Sequence, residues 1–481
     1  MTNQVTPAEG LPRIIQGGMG AAVSDYRLAN TVARNGQLGV VSGIAMDSVL
    51  ARRLQLGDPS GAIRRALAEF PWPEIAQRAI DNYFIPGGKA ADESFKLVPL
   101  VGMNLRAEAV ELLVAGAFVE IFLAKEGHSG PVGVNYLEKI QTPNVPQMLG
   151  AMLAGVEVVL VGAGIPMAIP GVLDSLSRWE PVELTLSVEP NPDGHRYTQK
   201  FDPREYFKGD LPELVRPNFL AIVASDTLAK TMAKRASGYV DGFVVEHHSA
   251  GGHNAPPRRV RGADTDAPLQ YGERDIPNLE VIAELGRPFW LAGSMASPEK
   301  LAEAIAAGAH GIQVGTAFAL CRESAIRPEL KQQLLRNLKA GTHNVRTDLN
   351  SSPTGFPFKV AELEGTVSEE AVNAARGRIC DLGYLRQLYA KGESTVGYRC
   401  GSEPEEKFLA KGGTMEGTIG KRCLCNALLA TVGLGQVRDG VPEPAIVTLG
   451  DDCSFLPHVM DGDNIDYGAV DVIEYLMRAV S

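Results

Sequence analysis

Val244-Val245-Glu246-His247-His248-Ser249-Ala250-Gly251-Gly252-His253 decides how this chain is read. A short apolar strand ends in an acid, and two glycines and a histidine follow at once. The glycines lack the Cβ atoms that would hold a flat molecule away from the backbone. The histidine beyond them carries a side chain that exchanges a proton near neutral pH. Taken alone, the segment also fits a strand-end turn with a solvated histidine.

The same pattern recurs along the chain. Arg13-Ile14-Ile15-Gln16-Gly17-Gly18-Met19-Gly20, Pro288-Phe289-Trp290-Leu291-Ala292-Gly293-Ser294 and His310-Gly311-Ile312-Gln313-Val314-Gly315-Thr316 each read as a strand closed by glycine. Between the last two, Leu301, Ala304, Ile305 and Gly308 follow the spacing of a buried helix face. Strand, glycine turn, helix, strand is the order of a parallel α/β fold. Eight strands are expected, near 13–18, 38–43, 131–136, 157–162, 219–225, 241–246, 287–293 and 310–315. Eight such units suffice for a TIM (β/α)8 barrel of about 250 residues, with its binding face at the strands' carboxyl ends.

The 481 residues exceed that minimum. Insertions are expected at about 46–130 and 167–217, so that residues 1–325 form the barrel. Residues 326–481 read as a mainly helical, cysteine-containing extension, with helices over 325–338, 369–390 and 423–433. All six cysteines lie late, at Cys321, Cys380, Cys400, Cys423, Cys425 and Cys453. Their irregular spacing leaves zinc or iron–sulfur ligation open but favours buried thiols, so no metal is assigned.

A hydrophobic fraction of 45% and a charged fraction of 21% describe a soluble globular chain. The net charge of −11, with no Lys/Arg cluster, argues against a nucleic-acid partner. No apolar run is long enough to span a bilayer. The polar start lacks the features of a signal peptide, so a cytoplasmic location is expected. No Gly-x-Gly-x-x-Gly follows a strand with an acid about twenty residues on, which argues against a Rossmann domain.

The five motifs Gln16-Gly17-Gly18-Met19, Gly133-Val134-Asn135, Ala250-Gly251-Gly252-His253, Gly293-Ser294 and Gly315-Thr316 resemble, in order and position, the nitronate monooxygenase (2-nitropropane dioxygenase) superfamily. That superfamily also includes flavin-dependent enoyl-ACP reductases. The resemblance covers roughly residues 11–324 and implies an FMN cofactor. It implies that Gly17, Gly18, Met19, Gly251 and Gly252 lie against the flavin, with Asn135 at its polar edge and Ser225 nearby. It places the phosphate at Gly293, Ser294, Gly315 and Thr316, and makes His253 the catalytic base or substrate-positioning group. The chain departs from the family at Ser294, where a second glycine is common, and at Asn254, where the histidine is usually followed by glycine.

The expected activity is FMN-dependent oxidation of a nitronate or similar small acidic carbon substrate with O2. Gln-Gly-Gly-Met sits closer to the reductase branch, so NAD(P)H-dependent reduction of an enoyl thioester is the alternative. A non-catalytic flavin-binding partner protein is the third, and a homo-oligomer stays open. His253 is expected to serve proton chemistry and not folding, because little core packing is available at a strand's carboxyl end.

Overall fold

The computed structural model describes residues 11–258, 270–460 and 465–480. Eight parallel strands close into a barrel: β1 (Ile14–Gln16), β2 (Leu38–Ser42), β3 (Val132–Leu137), β4 (Val158–Gly162), β5 (Asn218–Val223), β6 (Gly242–Glu246), β7 (Phe289–Ala292) and β8 (Gly311–Val314). Each pairs with its sequence neighbours, and β8 closes on β1 through Gln16 opposite Val314. All eight lie where the apolar runs place them. The fold is a TIM barrel.

Two apolar layers hold it. Ile15, Leu38, Val40, Val158, Leu160, Leu220, Val244 and Trp290 fill the barrel's interior. Trp290, fully buried, donates its indole N–H to the Pro12 carbonyl at 3.0 Å. The opposite strand faces meet the surrounding helices in a larger core. Helix starts are set by side chains that accept otherwise unpaired N–H groups: Asp25 before Tyr26–Arg34, Ser225 before Asp226–Arg235, Ser297 before Pro298–Ala306.

The β2–β3 insertion holds four helices, Met46–Gln55, Ala62–Ala68, Pro73–Tyr83 and Ala107–Lys125. The last has apolar residues all round and is buried along most of its length. The 167–217 insertion carries a helix, Ile169–Leu176, and an antiparallel pair, Val182–Thr185 with Thr198–Phe201.

Beyond residue 325 the expectation of a mainly helical extension needs correction. Helices Pro328–Lys339, Leu424–Thr431 and Ala469–Met477 are present. So are three two-stranded antiparallel sheets, Val345–Asp348 with Phe358–Ala361, Gln387–Gly392 with Thr395–Arg399, and Val437–Arg438 with Val441–Pro442. The helix expected over 369–390 stops at Ala375. Gly377 takes φ +72°, a left-handed conformation that ends a helix cheaply only at glycine. The extension returns to the barrel: Ala469–Met477 packs on Tyr26–Arg34 and Pro298–Ala306.

Candidate functional site

A cleft opens at the carboxyl ends of the strands. It encloses about 1500 Å³, solvent at its mouth included. Gly17, Gly18 and Met19 after β1, Asn135 in β3, Gly251, Gly252 and His253 after β6, Gly293 and Ser294 after β7, and Gly315 and Thr316 after β8 all line it. Eleven of the twelve residues singled out in the sequence therefore meet in one place.

Ser225 does not. Its hydroxyl accepts the Leu228 N–H at 3.1 Å, and it borders a smaller neighbouring cavity with His247, His248 and Tyr271. A serine at a strand's end is also the residue type that starts the next helix, and that is the use observed. His248 stacks on Tyr271 with centroids 4.1 Å apart.

Close backbone approach is built into the floor. A Cβ on Gly18 would lie 2.4 Å from the Asn135 Cβ, and one on Gly17 would lie 3.4 Å from the Gln313 Cγ. At the phosphate end expected from the motifs, Gly293 has φ +95° and Ser294 φ +55°. The serine thus holds a left-handed conformation in which non-glycine residues are uncommon.

Two buried oxygens in the cleft wall, Asn135 Oδ1 and Gln313 Oε1, have no hydrogen-bond partner. Such orphans are costly in a folded protein and call for a donor. Gln16, fully buried where Asn135 and Gln313 are half-buried, has its Oε1 satisfied by the Val40 N–H at 3.0 Å and is structural. Gln313 escaped sequence reading; its mark is a polar residue between Ile312 and Val314 near a barrel strand's end. Glu246 lines both cavities, and burial pushes its carboxyl up to about 8.

His253 has more support than its position in sequence suggests. Its Nε2 meets Ser352 Oγ at 2.7 Å and its ring lies against Phe358, centroids 4.8 Å apart. Burial lowers its pKa to about 4, so the imidazole is neutral at pH 7. Both partners come from the extension, which encloses the whole loop. Lys359 N–H donates to the Gly252 carbonyl at 2.9 Å, and Gly252 N–H to Thr448 Oγ1 at 2.7 Å. Gly450 N–H donates to Thr316 Oγ1 at 2.8 Å.

These features fit a bound flavin. A ring with both donors and acceptors on its polar edge would satisfy Asn135 and Gln313 where the glycines leave room for it. Among the described residues, no group of three or more His, Cys, Asp or Glu is placed to hold a metal ion. The six cysteines are free thiols, and Cys425 borders the cleft.

Fold and cleft together define a (β/α)8 barrel with an open cleft on its carboxyl-end face. Comparison with known proteins is narrower. The nitronate monooxygenase family model matches residues 216–354, and with it the chain's likeness to that superfamily is borne out. A "probable nitronate monooxygenase" from Bacillus subtilis is 30% identical over 146 residues, 28% of this chain and 39% of that one. A (3aS,4S,5R,7aS)-5-hydroxy-7a-methyl-1-oxo-octahydro-1H-indene-4-carboxyl-CoA dehydrogenase from Mycobacterium tuberculosis is 29% identical over 157 residues, 32% of this chain and 39% of that one. The matched stretch thus spans about two fifths of either relative's length. Among solved structures, FabK from Thermotoga maritima aligns over 97% of this chain and 92% of its own, at 16% identity and a TM-score of 0.45. Nitroalkane oxidase from Streptomyces ansochromogenes aligns over 98% and 95%, at 14% identity and a TM-score of 0.47. No helix among the described residues is long and apolar enough to cross a membrane.

Proposed function

We propose that the protein is an FMN-dependent oxidoreductase that oxidises a small carbon acid, a nitroalkane or its nitronate, with O2 as electron acceptor. The observation that carries the reading is the glycine floor beneath two orphaned oxygens, Asn135 Oδ1 and Gln313 Oε1. The family match over residues 216–354 supports it.

Gly17, Gly18, Gly251 and Gly252 would lie against the ring system, and Gly293, Ser294, Gly315 and Thr316 would hold the phosphate. FMN, when bound, supplies a two-electron acceptor. The chain's own part is to position the substrate and move its proton. His253, neutral above about pH 4, accepts the proton from carbon, oriented by Ser352 and Phe358. No lysine or arginine among the described residues lines the cleft, whereas Glu246 and Asp452 do. An anion would meet no cation there, so the neutral acid fits better than its nitronate.

One observation favours a second reading, NAD(P)H-dependent reduction of an enoyl thioester. The walls around the floor are apolar, with Ile44, Leu137, Ile140, Ile222, Leu385 and Leu428. Anaerobic titration of the purified yellow protein separates the readings. Flavin bleaching by a nitroalkane supports the first, and bleaching by NADH or NADPH followed by reoxidation with an enoyl thioester supports the second. Bleaching by none points to a non-catalytic flavin protein, and absence of flavin overturns all three. His253→Ala should lose about 10²–10⁴ in turnover of a neutral nitroalkane while keeping the flavin spectrum, and should harm a preformed nitronate less.

A further inference from the structure

A second cavity adjoins the first, of about 1190 Å³ with the solvent at its mouth. Tyr384 and Leu385 border both. Its character is opposite to that of the cleft. Lys139, Arg386, Arg399 and Lys421 line it, against a single carboxylate, Glu189.

The four cations are placed by neutral groups. Arg386 Nε donates to the Gly383 carbonyl at 2.9 Å and Nη2 to the Val101 carbonyl at 3.2 Å, with the guanidinium over the Tyr398 ring. Arg399, 8% exposed, donates to Gln387 Oε1 and to the Lys411, Gly412 and Glu189 carbonyls. Lys421 Nζ donates to the Ser352 carbonyl at 3.0 Å, and Lys139 Nζ lies 5.2 Å from the Phe356 ring centre. Among the described residues none of the four is in an ion pair, although ion pairs are frequent elsewhere in the molecule. In a chain of net charge −11 this is a local excess of positive charge, four cations to one carboxylate in the cavity's lining among the described residues.

We propose that this cavity holds the diphosphate-bearing tail of a nucleotide coenzyme whose reacting end lies in the first cleft. A guanidinium pair with two ammonium groups is the donor set that takes phosphate oxygens. Tyr384 and Leu385 border both cavities, so one extended ligand would pass these two side chains to reach from one to the other. The chemistry is common to two sources, an acyl thioester of coenzyme A and a nicotinamide dinucleotide. The inference rests on the cleft being the flavin and substrate site, and it adds a ligand larger than a nitroalkane. Most of the cavity's wall comes from the extension, outside the stretch matched by the family model.

Calorimetric titration of the flavin-bearing protein with desulfo-coenzyme A and, separately, with NADP+ tests it. Binding of at least one, weakened by added salt, is expected. Lys139→Gln, at an exposed position, should weaken that binding about tenfold, as should Arg386→Gln, with melting temperature and flavin content unchanged in the first. Desulfo-coenzyme A alone would assign the tail to a thioester, NADP+ alone to the electron donor, and both to the shared diphosphate. If neither binds, or if Lys139→Gln and Arg386→Gln bind as the unmodified protein does, the proposal is overturned. That result with normal flavin content would leave the cleft's assignment standing, whereas loss of flavin from the unmodified protein would remove the cleft's assignment itself.

Discussion

Gly18 and Glu246 carry the sharpest expectations for single residues. Gly18→Ala puts a methyl group 2.4 Å from the Asn135 Cβ, so Asn135 must move and its orphaned oxygen with it. Overpacking of this kind costs about 1–3 kcal/mol, and flavin content per chain should drop well before the fold is lost. Glu246 links the site to stability. Its carboxyl titrates at about 8 when folded, so between the ordinary glutamate range and pH 8 the folded state holds a proton that the unfolded state has released. Stability should therefore fall as pH rises through that window and level off above it. His253 acts with the opposite sign. Held at about 4, its contribution is present above the ordinary histidine range and lost as pH falls toward 4. Melting temperatures from pH 5 to 9 should show Glu246→Gln flattening the decline below about pH 8; an unchanged slope in that variant would assign the decline elsewhere. Most site residues were legible because glycine pairs and one histidine stand out at strand ends. Ser225 misled because serine also caps helices, and Gln313 was missed because nothing in sequence tells a cleft glutamine from a core one such as Gln16.

At the scale of elements, all eight barrel strands were legible. Runs such as Leu38-Gly39-Val40-Val41-Ser42 and Val158-Val159-Leu160-Val161-Gly162 are short, β-branched and closed by turn residues, as strands buried on both faces are. The extension's hairpins were not. Val345–Asp348 and Gln387–Gly392 are half exposed and lack a regular apolar alternation, so neither sequence period marks them. The strand-end turns also make the phosphate position testable. A Cβ on Gly315 would meet only Met19 Sδ at 3.8 Å, an ordinary contact, so a side chain there need not disturb the fold. Gly315→Asp and Gly315→Asn then differ in charge alone. If the phosphate lies at this turn, the aspartate variant should retain at least about tenfold less flavin than the asparagine variant at low salt, by like-charge repulsion. Equal flavin content in the two would move the phosphate elsewhere.

For the whole molecule, the question is whether residues 1–325 form a barrel that stands by itself or one that needs the extension packed on it. The contacts argue for the latter. Tyr467, 1% exposed, donates its hydroxyl to the Ala317 carbonyl at 2.8 Å, and Phe358 and Leu449 are buried against the Gly251–His253 loop. Lys359, 3% exposed, reaches Asp451 at 2.6 Å across two separate segments of the extension. Gly252 N–H, the Gly252 carbonyl and His253 Nε2 are paired by Thr448, Lys359 and Ser352, so the extension holds the geometry of the Gly251–His253 loop. Removing those partners leaves buried polar groups unpaired, at about 1–3 kcal/mol each, in a protein whose total margin is about 5–15 kcal/mol. The full chain should accordingly unfold in one thermal transition with flavin release coincident with loss of secondary structure. A chain ended after Gly341 should be insoluble or should fold without flavin. Recovery of a soluble truncated barrel with normal flavin content, or an early separate transition in the full chain, would establish the extension as an independent domain instead.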